Sequence, residues 1–414
     1  MPSWQEMIQI CNKYNIVSLG EGAPIFEPPE FLVQNLMEAI KEGYNHYSSC
    51  YGVPQARKYL AEFYSPKFKK TINPANEVLI TNGANASTGC LLEAFCRNQN
   101  DEVIIIEPYF PRYTSLTQLS SGTIRTVPMV VGDDNQWHLD LDIFRETLSE
   151  KTRVLMLNTP HNPTGKVFSQ EELEEISEIL EEFPHVYVIS DEVYEFLTFD
   201  DHKHHIFANI KDNWNKTVTV YSGGKLLACT GWKVGWSFAP EEIIRQAVVI
   251  NDTCTYCHNV PGQIAVAKSL KQAYSEEYNG ATSFVDYQIA DFKKCHDILV
   301  KGLNELELPI KPISASGGYF IYADISELKD LVPEKYFKQD EYEDDKDTII
   351  EKNDFGNPVP LDLAVSRWLA MEKKVVTMPG TFFNFKNSPY KSDKYIRFAI
   401  CRGEKVTKDA IANL

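Results

Sequence analysis

Between about residue 75 and residue 240, short apolar runs of β-type residues alternate with stretches of helical period, and few folds accommodate that alternation. The runs are Val78-Leu79-Ile80, Val103-Ile104-Ile105-Ile106, Val154-Leu155-Met156-Leu157, Val186-Tyr187-Val188-Ile189 and Val218-Thr219-Val220. Most are unbroken rather than alternating, as expected for strands buried on both faces of a mainly parallel sheet. Between them lie helical segments such as 169–182. It opens with Ser169-Gln-Glu-Glu172, a capping-box pattern, and repeats its apolar residues at Leu173, Ile176, Ile179 and Leu180. The alternation predicts an α/β architecture whose ligands sit at the carboxyl ends of the strands. Beyond about residue 285 the pattern changes to α+β, with strands expected at 317–321 and 395–398. Residues 334–360 are rich in charge, Pro, Gly and Asn and read as a surface insertion. The domain division that follows is 32–285 for a large domain, with 1–31 and 286–414 forming a smaller one.

Three of the expected strands end in unlike functional groups. Met156-Leu157-Asn158-Thr159-Pro160-His161-Asn162-Pro163-Thr164-Gly165 runs from a strand into a Pro/Gly turn. Val188-Ile189-Ser190-Asp191-Glu192-Val193-Tyr194 closes on a carboxylate and a phenol. Val220-Tyr221-Ser222-Gly223-Gly224-Lys225 closes on a hydroxyl, two glycines and an amine, followed by Thr230-Gly231-Trp232-Lys233-Val234-Gly235. Each has a bland reading alone: a turn, a helix cap, a solvated lysine. In this order, each at the mouth of a strand, they read as one site.

With 414 residues the chain can bury a large core. Its formal charge of -17 repels nucleic acid and anionic membrane surfaces, so neither is an expected partner. A small anion remains possible, because one site can be basic within an acidic protein. The first twenty-odd residues lack the basic start and apolar run of a signal peptide, and no stretch approaches the roughly 18 apolar residues of a membrane span. The cytoplasm is therefore the expected compartment. Nine scattered cysteines do not form a secreted disulfide framework. Cys254-Thr255-Tyr256-Cys257-His258 fits a haem-attachment pattern, but without export or a second cysteine pair neither haem nor zinc is expected. The run Asp201-His202-Lys203-His204-His205 reads as a solvated loop.

On Asn162-Pro-Thr-Gly165, Asp191-Glu-Val-Tyr194 and Lys225 with Gly231-Trp-Lys-Val-Gly-Trp236, the chain resembles the fold-type-I pyridoxal-phosphate aminotransferases (class I/II). Within them it is most similar to the kynurenine aminotransferase group, also described as glutamine transaminase K and cysteine-S-conjugate β-lyase. The resemblance runs from Trp4 and Leu19-Gly-Glu-Gly22 to Tyr395-Ile-Arg-Phe398. It implies a large domain with a sheet of the mainly parallel, seven-stranded type, a smaller α+β domain, and a homodimer with composite sites.

The resemblance also implies roles. Lys225 would hold pyridoxal 5′-phosphate as a Schiff base and later move the substrate's α-proton. Asp191 would keep the pyridine nitrogen protonated, while Asn162 and Tyr194 bond the ring's phenolic oxygen and Phe110 stacks on the ring. The phosphate would lie on the backbone of Gly83, Ala84 and Asn85, with Ser222 and Lys233, and Tyr47 would reach the phosphate of the neighbouring subunit. Arg397 would grip the substrate α-carboxylate, helped by Asn162 and the backbone near Gly22, with Trp4 lining the side-chain pocket. No metal is expected.

Two departures bear on substrate choice. The family has an aromatic where Asn85 stands, and Phe-His near Cys257-His258. The expected activity is transfer of the amino group of kynurenine, glutamine or another large neutral or aromatic amino acid to a 2-oxo acid. Its rivals are β-elimination at the same site and a catalytically silent scaffold, which would have no need of Lys225, Asp191, Tyr194 and Arg397 together.

Overall fold

The computed structural model describes residues 2–338 and 359–414, so most of the expected 334–360 insertion lies outside the described residues. The first strand, β1 (Val17–Ser18), belongs to the smaller part of the fold. The next eight form one sheet: β2 (Val78–Asn82), β3 (Glu102–Glu107), β4 (Thr123–Val131), β5 (Trp137–Leu139), β6 (Thr152–Asn158), β7 (Tyr187–Asp191), β8 (Thr217–Ser222) and β9 (Val234–Phe238). Their order is β2-β9-β8-β7-β6-β3-β4-β5. From β8 through β4 every neighbouring pair is parallel; β9 runs against both of its neighbours, and β5 folds back on β4. All five runs chosen from the sequence lie on strands of this sheet.

Seven of the strands, β2-β9-β8-β7-β6-β3-β4, make the expected mainly parallel sheet, and the short β5 extends its edge by an eighth. Gly132-Asp133-Asp134-Asn135 makes a tight turn, with Gly132 N–H bonded to Gln136 O at 2.9 Å and Asn135 at φ 57°. That turn lets the short β5 pair on the edge of β4. Neither β4 nor β9 is an unbroken apolar run: β4 mixes polar residues and Pro128, and β9 contains Gly235 and Ser237.

The unbroken runs have a visible cause. Val103 and Ile105 enter the core on one face of the sheet, and Ile104 and Ile106 enter the core on the other. Val154 and Met156 part from Leu155 and Leu157 in the same way. Each strand thus spends its pleat on two apolar layers. The helix Gln170–Glu181 covers one of them with Leu173, Ile176, Ile179 and Leu180. Its capping box is complete: Glu172 N–H donates to Ser169 Oγ at 3.2 Å, and Ser169 N–H donates to Glu172 Oε2 at 2.8 Å.

A second sheet of four antiparallel strands has the order β10-β11-β14-β13, with β10 (Lys311–Pro312), β11 (Phe320–Asp324), β13 (Met378–Pro379) and β14 (Tyr395–Ala399). The remaining strand, β12 (Val375–Val376), pairs in parallel with β1. The strand expected at 317–321 begins only at Phe320. Its first residues turn aside to bond the large sheet's loops, Gly317 N–H to Gly165 O at 3.0 Å and Gly318 N–H to Leu197 O at 2.9 Å. The N-terminal helix Pro2–Tyr14 packs on the helix Leu361–Glu372, where Arg367 Nε donates to Glu6 Oε1 at 2.6 Å with both side chains buried. The second sheet and the N-terminal arm are thereby held over the carboxyl ends of the large sheet.

Because the capping box starts a helix that covers the core, Ser169→Ala should lower unfolding free energy by about 1 kcal/mol. A urea titration followed by circular dichroism checks this, and an unchanged midpoint would remove the cap from the stabilising interactions.

Candidate functional site

Parallel register sets the side chains at the strand ends beside one another. Asn158 on β6 is the Cα partner of Asp191 on β7, which is in turn the partner of Val220 on β8. Asn158 Nδ2 donates to Asp191 O at 2.7 Å, and its Oδ1 accepts the N–H of Asn162 at 2.8 Å. One amide therefore ties two strand ends to the Pro/Gly turn. Asn162 Oδ1 then accepts Arg397 Nη1–H at 3.0 Å, and Arg397 Nη2–H donates to Gly20 O at 2.7 Å. The Arg397 guanidinium carbon lies 3.9 Å from the Phe320 ring centroid and 4.5 Å from that of Phe383. Burial pulls its pKa down to about 10, and Nε has no hydrogen-bond partner among the described residues.

Asp191 is buried at the end of β7. Burial pushes its carboxyl up to about 6, against the Tyr113 hydroxyl, which donates to Oδ2 at 2.6 Å and favours the ionised form. Its neighbour Glu192 is fully buried and accepts from Ser190 Oγ at 2.8 Å, Phe207 N at 3.2 Å and Tyr221 Oη at 3.2 Å, with His204 Nε2 at 2.8 Å. This corrects the expectation of a solvated histidine loop. His204 folds inward to this carboxylate with its side chain 9% exposed, while Asp201, His202 and Lys203 are exposed.

Lys225 stands on a single helical turn, Gly223–Leu226, directly after β8. Its Nζ donates to Gly22 O at 2.8 Å, and burial pulls the ammonium down to about 8. The same burial holds the Tyr194 phenol far above its ordinary range, although Arg397 opposes the shift. At the end of β2, Gly83 precedes the helix Ala84–Phe95, whose first turn has no side-chain cap. Gly83 takes φ 79°, and a Cβ there would come within 3.1 Å of Lys233 Nζ. A side chain at Gly235 would collide with the backbone of Gly83 and Ala84. An open helix N-terminus with a lysine beside it is a natural anion cradle.

Most of these groups, though not the Glu192–His204 pair, line one cavity of about 540 Å³. Of the residues singled out in the sequence, Trp4, Gly22, Gly83, Ala84, Asn85, Phe110, Asn162, Asp191, Tyr194, Ser222, Lys225, Lys233 and Arg397 line it. Tyr47 does not. It is 85% exposed, 5.4 Å from the Tyr256 ring, in a separate cleft shared with Cys257 and His258. Sequence reasoning missed Tyr113, Phe320 and Arg112, and placed Asn158 only at the end of a strand. Tyr113 gave little signal, because Phe110 lies before the helix Arg112–Leu119 and helical spacing does not link the two.

The model of the family described as Aminotransferase class I and II matches residues 14–413. A kynurenine–oxoglutarate transaminase of Dictyostelium discoideum is 32% identical over 99% of this chain and 93% of its own length. The human kynurenine–oxoglutarate transaminase 1 is 30% identical over 97% of this chain and 92% of its own. Among solved structures, an Escherichia coli protein described as having a methionine aminotransferase function has a TM-score of 0.83 and 25% identity, covering 100% of this chain and 97% of its own. The chain belongs to the class I and II aminotransferases, enzymes that move an amino group between amino and 2-oxo acids with pyridoxal phosphate. The residues present suit that cofactor: an uncapped helix start beside Lys233 for a phosphate, a buried carboxylate for a ring N–H, and an amine of lowered proton affinity for an aldehyde.

The depressed Lys225 pKa has a testable sign. The neutral amine, which attacks an aldehyde, dominates above about pH 8 rather than above the ordinary 10.5. The rate at which apoprotein forms a borohydride-reducible link to pyridoxal phosphate should rise with pH and level off above about 8. Lys225→Ala should form none. A midpoint near 10.5, or trapping in the variant, would contradict the assignment.

Proposed function

We propose that the chain transfers the amino group of a large neutral or aromatic amino acid, with kynurenine, glutamine and methionine among its donors, to a 2-oxo acid, and that it works as a homodimer in the cytoplasm. The reading rests on one observation above all: the Lys225 amine, bonded to Gly22 O, and the Arg397 guanidinium, bonded to Asn162 and Gly20, line the same cavity. The relatives named for kynurenine and methionine support the donor class.

When bound, pyridoxal phosphate supplies a conjugated ring that takes up the electron pair released at the substrate α-carbon. The chain does the rest. Arg397 holds the α-carboxylate, with its charge and with an Nε–H that has no partner among the described residues. Lys225, whose proton affinity burial lowers toward the physiological range, would take up the α-proton. Asp191 would keep a proton on the ring nitrogen, and Tyr113 fixes that carboxylate through its hydroxyl. Asn162 and Tyr194 would hold the phenolic oxygen, Phe110 would cover the ring, and Gly83, Ala84, Asn85, Ser222 and Lys233 would hold the phosphate. Trp4 and Asn85 border the space left for the donor's side chain. Replacing the family's aromatic by Asn85 removes a stacking partner worth roughly 0.5–1.5 kcal/mol, about two- to tenfold in preference.

The deciding measurement is kcat/KM for kynurenine, phenylalanine, methionine and glutamine in the unaltered protein and in Asn85→Tyr. The variant should shift toward the aromatic donors, and an unchanged ranking would take Asn85 out of the pocket wall. Activity with aspartate alone would overturn the donor class.

Support for the dimer comes from the surface. Val33, Met37 and Ile40 stand exposed on one face of the helix Glu30–Lys41, and Tyr47 and Tyr256 are exposed beyond it. Light scattering should give twice the mass of one chain. Tyr47→Phe should keep that mass and weaken pyridoxal phosphate binding by about tenfold or more, the loss of a hydrogen bond to a charged group. A monomeric mass, or unchanged cofactor affinity, would refute the composite site.

A further inference from the structure

The cavity is basic in an acidic protein. Arg112, Lys225, Lys233 and Arg397 line it against only Glu21 and Asp191, in a chain of formal charge -17. Three of the four cations have an occupation. Lys225 bonds Gly22 O, Arg397 bonds Asn162 and Gly20, and Lys233 lies against Gly83 at the open helix start. Arg112 has no hydrogen bond or ion pair among the described residues, and the nearby acid is engaged elsewhere, with Glu21 Oε2 3.7 Å from Arg402 Nη1.

Local structure does not account for an arginine here. Arg112 is the first residue of the helix Arg112–Leu119, where the helix dipole disfavours a cation and favours an acid. Its position is nevertheless well fixed. Phe110 precedes it in the cavity wall, and Tyr113 follows it, clamped to Asp191 at 2.6 Å. A guanidinium is thus carried on a rigid segment at the mouth of the site with its hydrogen-bonding fork free for a ligand.

We propose that Arg112 binds the distal carboxylate of a dicarboxylic 2-oxo acid and so selects the amino-group acceptor. The assignment rests on the reading that Arg397 takes the α-carboxylate. A substrate with a second carboxylate then needs a second cation in the same cavity, and Arg112 is the one of the four that has no part in holding cofactor or α-carboxylate. Glu21 repels that carboxylate from its own side, so the two residues together orient it. Acceptors with one carboxylate gain nothing from Arg112.

The test compares 2-oxoglutarate with phenylpyruvate as acceptors, at one fixed donor, in the unaltered holoenzyme and in Arg112→Gln and Arg112→Lys. In Arg112→Gln the ratio of kcat/KM for 2-oxoglutarate to that for phenylpyruvate should fall by about tenfold to a hundredfold, carried by KM, the scale of a charge-assisted hydrogen bond. Arg112→Lys should recover part of the ratio. Equal losses with both acceptors, or no change in the ratio, would overturn the assignment while leaving transamination intact. Inactivity of the unaltered protein with every donor–acceptor pair would overturn both the assignment and the reading beneath it.

Discussion

Removing a guanidinium from water is costly, and Arg397 is 2% exposed. The site follows from how the fold offsets that cost. One nitrogen donates to the turn after β6, another to the carbonyl of Gly20 in the N-terminal arm, and two aromatic faces cover the planar cation. These contacts come from three distant parts of the chain, so the arginine is satisfied only when the large sheet, the second sheet and the arm are all in place. Satisfaction is still incomplete, since Nε has no partner among the described residues. A buried cation short of one bond and of any carboxylate favours an entering carboxylate, so the interaction that joins the sheets also prepares the site for its ligand.

The same low-dielectric setting shifts the other groups in useful directions. Burial is the largest cause that moves Lys225 down and Asp191 up, bringing both toward neutrality from opposite sides, with Arg397 and Lys233 adding to the first shift and Glu192 to the second. Specific partners then correct the burial effect, with Tyr113 holding Asp191 toward its ionised form and Gly22 O orienting Lys225. The cavity carries an excess of positive charge, so it attracts small anions although the protein as a whole is strongly acidic.

Much of this is legible in the amino-acid sequence. Parallel strands buried on both faces leave unbroken apolar runs, and chemistry gathers at strand ends, so β3, β6, β7, β8 and the residues after them stand out. Strands of mixed character do not: β4 carries Pro128, β5 depends on the turn before it, and β9 is interrupted by Gly235. Tyr113 and Arg112 are hidden for a different reason. They belong to a helix that starts inside the site wall, and a helix boundary there leaves little periodic signal. Tyr47 shows the opposite case, a residue named by resemblance whose ring lies outside the cavity of its own chain. The inward turn of His204 cannot be read from a histidine-rich run, because its cause is the buried Glu192 twelve residues earlier.

The bond between Arg397 and Gly20 spans 377 residues. During synthesis at roughly 5–20 residues per second, the arm waits about 20–75 s for its partner. The large sheet can assemble in that interval, with its apolar layers and most of its cofactor-facing groups complete. Such a nascent intermediate already carries Lys225 and the open helix start at Gly83, yet has no means of gripping a carboxylate. The grip on a carboxylate is therefore the part of the site that synthesis supplies last, from β14, after the residues that line the rest of the cavity.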